Sequence, residues 1–142
     1  MNNPLIETYY TNENGYHPFF IRKHWQVAQL NYLPHLSFTT VDRLEKHQQT
    51  DEVFVLTKGK AVLIAATIEN DRPNFECTLM QVGVTYNIAV NMWHSVAMDK
   101  ATEIIIVEQS NTHLGDVHYY PLLDSDGLRL KGQILQLIDQ AN

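Results

Sequence analysis

Apolar residues along most of this chain fall in short stretches, some alternating with polar residues and some continuous. From Trp25 to Tyr32 the order is Trp-Gln-Val-Ala-Gln-Leu-Asn-Tyr, which puts Trp25, Val27 and Gln29 on one face and Ala28, Leu30 and Tyr32 on the other. A period of two with aromatic residues predicts a strand, and Pro34 ends it. Short apolar or alternating stretches predict strands over 36–47, 52–56, 61–68, 75–82, 85–89 and 94–98. Lys58-Gly59-Lys60 reads as the turn of a hairpin, and Asn70-Asp71-Arg72-Pro73-Asn74 as a turn cluster. Ile104-Ile105-Ile106-Val107-Glu108 is β-branched and apolar on both faces, which predicts a strand buried between two sheets. Val117 to Tyr120 is the last predicted strand.

The period then changes. Leu128, Leu130, Ile134, Leu135, Leu137 and Ile138 recur at helical spacing, which predicts a C-terminal helix with Asp124 or Asp126 as its cap. The predicted organisation is one domain over 1–142, with an N-terminal arm at 1–23, a β-barrel at 24–122 and a helix at 124–141. Short strands at regular spacing followed by one helix point to a mainly β sandwich or barrel.

Composition narrows the function classes. A chain of 142 residues can close a hydrophobic core without staples. The formal net charge of −6 leads to the expectation of no nucleic-acid partner, which would require a basic face. One cysteine, Cys77, excludes an intramolecular disulfide and suits the reducing cytoplasm. Its place in Phe75-Glu76-Cys77-Thr78-Leu79 suits a small strand residue rather than a nucleophile. No apolar run approaches the roughly 20 residues of a membrane span, and the opening Met1-Asn2-Asn3-Pro4-Leu5-Ile6-Glu7 lacks the pattern of a signal peptide. The expected protein is cytoplasmic, with no membrane partner.

The chemistry gathers in two places. Glu45, His47 and Glu52 lie just ahead of the apolar run Val53-Phe54-Val55-Leu56, and Met92-Trp93-His94-Ser95 supplies a second histidine. Glu45 and His47 are two apart, so on a strand they share a face. A carboxylate such as Glu52 facing an apolar interior is desolvated and must pair with a histidine, a metal or a ligand. His47 is either a polar residue at a barrel mouth or a ligand or base. His94 is either a satisfied core histidine or part of a pocket. Glu45 either joins them or pairs on the surface with Arg43 or Lys46. Phe54, Tyr86, Asn87 and Trp93 are candidates for lining a pocket, with core or rim as the plainer alternative. His17, His24, His35, His113 and His118 show no ligand spacing and read as surface or structural.

The spacing His47, four residues, Glu52, six residues, Gly59 resembles the first motif of the cupins, small jelly-roll β-barrels. In that motif a His-x-His precedes the glutamate, and Glu45 stands where the first histidine is found. Ala89-Val90-Asn91-Met92-Trp93-His94 resembles the start of the second motif, Pro-x-Gly-x-x-His-x-x-x-Asn, with the histidine kept and Ala89, Asn91 and Met98 in place of the other marked residues. The resemblance runs over about residues 40 to 110 and is nearest to small bacterial cupins, which also carry a Tyr-Asn pair (Tyr86-Asn87) and Val-Glu-x-x-x-Thr (Val107 to Thr112). A more distant likeness is to the ureidoglycolate lyase group. The resemblance implies a cupin-type jelly-roll β-barrel with a C-terminal helix, and a divalent metal held by Glu45, His47, Glu52 and His94. Histidine with carboxylate suits Mn, Fe, Zn or Ni. It also implies that the aromatic arm (Tyr9, Tyr10, Phe19, Phe20) crosses to a second copy in a homodimer.

Three functions follow as expectations. In an enzyme, a metal or the His47–Glu52 pair would act on a small polar metabolite, sugar-like or a hydroxy acid, as isomerase or lyase, with His47 and Glu52 catalytic. In a metabolite-binding or sensor protein the pocket would hold its ligand without turnover. In a structural protein the pocket would be degenerate.

Overall fold

The computed structural model describes residues 3–141; Met1 and Asn2 of the predicted arm, and Asn142, lie outside the described residues. The strands are β1 Tyr16–Ile21, β2 Gln26–Asn31, β3 Arg43–Lys46, β4 Glu52–Lys58, β5 Ala61–Glu69, β6 Arg72–Leu79, β7 Thr85–Ile88, β8 Trp93–Met98, β9 Glu103–Glu108 and β10 His118–Pro121. Two helices join them, a short α1 at Thr112–Gly115 and a long α2 at Asp124–Gln140. The strands form two five-stranded sheets, ordered β1-β2-β9-β4-β7 and β10-β3-β8-β5-β6, and every strand pair within them is antiparallel. Two such sheets make the jelly roll that the resemblance implied.

Two hydrophobic clusters hold the layers. Between the sheets lie Ala28, Leu30, Phe54, Leu56, Leu63, Val96, Met98, Ile104 and Ile106. On the far side of the second sheet Leu44, Val62, Ile64 and Ala97 pack with Leu130 and Ile134 of α2. Strand β8 serves both clusters by alternation: Val96 and Met98 turn inward, while Ala97 and Trp93 meet the helix layer. His94 is in phase with the inward set, and the same alternation puts Glu52 in line with Phe54 and Leu56.

Several expectations are corrected. Lys58-Gly59-Lys60 is not a hairpin turn: β4 pairs with β7 and β9, whereas β5 pairs with β6 and β8, so the turn carries the chain from one sheet to the other. The hairpin is β5–β6, around Asn70 and Asp71 with φ of 52° and 61°, a left-handed pair that suits a tight two-residue turn. The predicted strand over 36–47 shortens to β3, because Pro34–Leu36 forms a 3-10 turn. Thr40 Oγ1 then donates to Pro34 O at 2.6 Å, closing that turn. Strand β9 is the middle of its own sheet, between β2 and β4; Ile104 and Ile106 are buried while Ile105 and Val107 are half-buried. Neither Asp124 nor Asp126 caps α2, whose N-cap is Leu123. Asp126 is instead buried and held by Arg72 and Arg129, both at 3.0 Å. Leu128 is exposed and not part of the packed stripe.

The arm lies against its own sheet. Gln29 and Asn31 donate to Thr11 O at 2.7 and 3.1 Å, Asn31 to Glu13 O at 2.7 Å, and Tyr10 donates to Glu103 at 2.7 Å. Tyr9 stacks on Phe19 and tilts against Phe20. Cys77 is half-buried in β6, and burial pushes its thiol up to about 11, so at neutral pH it is protonated and a poor nucleophile. Among the described residues no helix is long and apolar enough to cross a membrane.

Candidate metal centre and pocket

The register of the two sheets assembles one polar cluster. In the second sheet Glu45 of β3 lies directly opposite His94 of β8. In the first sheet Gln26 pairs with Glu108, and Val53 pairs with Val107, which sets Glu52 beside Glu108 at the next inward position. His47 follows β3 and points into the gap. Glu45, His47, Glu52 and His94 thus offer one ligand atom each, all within 4.8 Å of one another. His47, Glu52 and His94 are buried, and Glu45 is half-buried.

Donor and acceptor chemistry at this cluster is specific. His47 Nδ1 lies 2.7 Å from Asp116 O, and His94 Nδ1 lies 2.9 Å from Met92 O. A carbonyl only accepts, so both Nδ1 atoms carry the proton and donate it. The remaining nitrogens, His47 Nε2 and His94 Nε2, each sit 2.8 Å from Glu52 Oε2. In two neutral rings these would be lone pairs facing a carboxylate oxygen. The arrangement is satisfied by a proton on each Nε2 or by a cation among the three atoms. Metal-bound histidines carry their second nitrogen on such a carbonyl as a rule, so the donor set fits a divalent ion.

The electrostatics agree. Burial opposes the charge on His47, but the Glu52 hydrogen bond and charge, with the Asp116 carbonyl, raise it to about 9. His94 is raised for like reasons, burial again opposing Glu52 and Glu45. Burial acts against ionisation of Glu52 too, yet the two histidines hold it at about 2. Glu45 is raised by burial and by the charge of Glu52.

A second polar group borders the first. Glu108 is buried and its Oε2 has no hydrogen-bond partner; it lies 3.8 Å from His47 Nε2. Its Oε1 accepts from Tyr16 Oη at 2.7 Å and from Gln26 Nε2 at 3.2 Å. Gln26 Nε2 also reaches Tyr16 Oη at 3.0 Å and His113 Nδ1 at 3.1 Å. Burial and the charge of Glu52 raise Glu108 to about 7, and burial with Glu108 raises Tyr16.

Both groups open on a cavity of about 310 Å³ between the sheets, with an apolar wall that includes Leu30, Leu33, Leu36 and Val96. Of the residues predicted to line a pocket, Phe54 does so. Trp93 faces the helix layer, beneath Lys46 and against Tyr120. Asn87 donates to Asp51 at 3.2 Å, and Tyr86 Oη accepts from the Gln81 amide at 2.9 Å; neither lines the cavity. His113 and His35, read from the sequence as surface or structural, line it instead.

No family model matches the chain, and no curated protein does. Solved structures do. A Streptomyces PAC13 variant with uridine matches at 10% identity over 84% of this chain and 95% of that one, TM-score 0.54; Pac13 is described as a β-barrel nucleoside dehydratase. A cupin-like protein from Thermotoga maritima matches at 14% identity over 76% of this chain and 74% of that one, TM-score 0.48. Tomato vicilin matches at 18% identity over 70% of this chain, TM-score 0.46, and the chain spans 26% of its length. The strand order and the PAC13 match at TM-score 0.54 show the architecture.

The fold is that of the cupins.

In this cupin fold the polar cluster lies between the two sheets, and its four members are those expected from the motif resemblance. The neighbouring structures do not bear on the likeness to the ureidoglycolate lyase group. Glu108, Gln26 and Tyr16, which border the cluster, were not among the expected residues. Their signal was their phase: Glu108 follows Ile104 and Ile106 on the inward face of β9, and Gln26 precedes Ala28 and Leu30 on that of β2.

Proposed function

We propose that this cupin barrel binds a divalent metal through Glu45, His47, Glu52 and His94 and presents it to a small polar metabolite in the cavity, as an isomerase or lyase. The observation that carries the reading is the pair of histidine Nε2 atoms converging on Glu52 while both Nδ1 atoms are committed to carbonyls. A metal of this kind supplies Lewis acidity toward a ligand oxygen. The chain's own groups do the rest. Asp116 and Met92 hold the rings in orientation, and the apolar wall excludes water from one side of the cavity. Glu108 offers an oxygen that can take or return a proton near neutral pH. That Pac13, on the same fold, is described as a nucleoside dehydratase and a variant of it was solved with uridine supports a small polar ligand as the class. The single cysteine suits the cytoplasm, and the exposed Leu5, Ile6 and Tyr10 of the arm suit a contact between two copies.

The second reading is a metal-free binding protein, favoured by the raised histidines: two protons fill the place of the metal and leave Glu52 satisfied. Metal content of untagged protein decides between them. The expected result is near-stoichiometric metal in the wild type and its loss in His94→Ala. Absence of metal in the wild type, with no thermal shift from Mn, Fe, Zn or Ni, would sink the first reading and leave the second.

A further inference from the structure

Glu108 Oε2 is the one buried side-chain oxygen or nitrogen without a hydrogen-bond partner among the described residues. The residue is 6% exposed and lines the cavity. A buried acceptor left alone costs stability, and the protein does not leave it alone by looseness: Oε1 of the same carboxyl is tied to Tyr16 and Gln26, and Gln26 is tied through its own oxygen to the Asn111 amide at 2.8 Å. The carboxyl is therefore held rigidly with one oxygen presented to the cavity. Such convergent, pre-oriented polar groups in a mostly apolar hollow are how pockets fix the pose of a ligand.

We propose that Glu108 Oε2 anchors a ligand hydroxyl, and that the pocket selects an uncharged, hydroxyl-bearing molecule of sugar size over the corresponding acid. This rests on the reading of the cavity as a ligand pocket and deepens it by choosing between the two substrate classes. A hydroxyl donates to a carboxylate and accepts from a carboxyl, so it suits Glu108 in either state. A ligand carboxylate would bring its lone pairs against those of the ionised Glu108, with Glu45 and Glu52 lining the same cavity. The cations that line the cavity are already engaged: His47 and His94 each meet Glu52 Oε2 at 2.8 Å, and Arg43 pairs with Asp42 at 3.4 Å and lies over the Tyr119 ring. A cavity of about 310 Å³ is at the small end for ligand sites and suits five or six carbons.

The test uses the full chain after chelator treatment, so that a sugar acid cannot gain affinity by chelating a metal. Binding of D-xylose, D-glucose and myo-inositol is compared with that of D-xylonate and D-gluconate by saturation-transfer NMR titration. The wild type is expected to bind at least one neutral probe and to prefer it to its acid at least about tenfold. Glu108→Gln puts an amide donor where the free oxygen was, so the preference should collapse or reverse in favour of the acid. Tyr16→Phe, which frees the carboxyl from its clamp, should weaken the neutral probe. Circular dichroism and the metal content of each variant are read alongside. The proposal is overturned if no neutral probe binds, if wild type does not distinguish sugar from acid, or if folded Glu108→Gln keeps the preference. It is also overturned if Glu108→Gln abolishes metal binding, since Glu108 is then a metal ligand. Absence of metal from the wild type, with the sugar preference intact, would defeat the metal reading alone.

Discussion

Asp116 shows how one residue outside the cluster controls it. Its carbonyl accepts from His47 Nδ1, and its carboxylate accepts from the amides of Gln48 and Gln49, both at 2.9 Å. Those two amide bonds, with the charge of His47, hold its carboxyl below the usual range against burial. The loop after His47 is thereby pinned to the segment after α1, and the ring cannot turn away from Glu52. Asp116→Ala removes both carboxylate bonds and should cost roughly 2–3 kcal/mol in denaturant unfolding. It should also lower metal affinity about 10- to 100-fold, as loss of an orienting partner does at other metal sites, with Glu45, His47, Glu52 and His94 all present. Unchanged affinity would mean that the carbonyl alone orients the ring. Asp116 was not legible beforehand, because it is 69 residues from His47 and no periodicity connects them. His47, Glu52 and His94 were legible, since each is a polar residue at a marked spacing beside apolar positions. Glu108 and Gln26 carried the same kind of signal in their phase, and the error was to treat the β9 run as apolar throughout.

At the level of elements, local pattern located the strands well and their partners poorly. The segment from Glu52 to Glu69 has two apolar runs around a glycine, which is what a hairpin looks like; in the fold it is a crossing between sheets. The choice is made by contacts far along the chain. At Gly59 φ is +86°, and a Cβ there would stand 2.5 Å from Thr102 Cα. Thr102 is 1% exposed and its hydroxyl donates to Lys60 O at 2.8 Å, so the β8–β9 turn is wedged against the β4–β5 turn. Gly59→Ala meets both the left-handed backbone and a neighbouring backbone atom. It should destabilise by about 3 kcal/mol or more, read as a lower urea midpoint at unchanged slope. Glycine at a plain solvent-facing hairpin would lose far less. Gly83 supplies the internal comparison: its φ is +84°, but nothing lies within 4 Å of its would-be Cβ. Gly83→Ala should therefore cost only the backbone term, about 1–2 kcal/mol.

The whole molecule couples this polar site to its stability, because the sheets close over groups whose charges depend on one another. Three shifts frame the pH profile of the metal-free protein, and those of His94 and Glu45, both raised, act in the same sense as that of His47. His47 is raised from 6.5 to about 9, so its contribution is complete below pH 6.5 and is lost as pH rises through 9. Glu52 is lowered from 4.5 to about 2, so its contribution is complete above pH 4.5 and is lost as pH falls through 2. Glu108 is raised from 4.5 to about 7, so the fold favours its protonated form and loses that advantage as pH rises through 7. Chelator-treated protein should thus melt highest between pH 4.5 and 6.5 and progressively lower from pH 7 to 9. A bound ion reverses the upper limb. His47 Nε2 and His94 Nε2 would hold it in place of their protons, so its binding would compete with those protons and tighten as pH rises. The rise in Tm on adding Mn or Ni should accordingly grow from pH 6.5 to 9, measured by scanning calorimetry at fixed ionic strength. A metal-free Tm that climbs between pH 7 and 9 would mean that the histidines are neutral in the fold. In that case the charged pairing with Glu52, on which the metal-free reading depends, would be wrong.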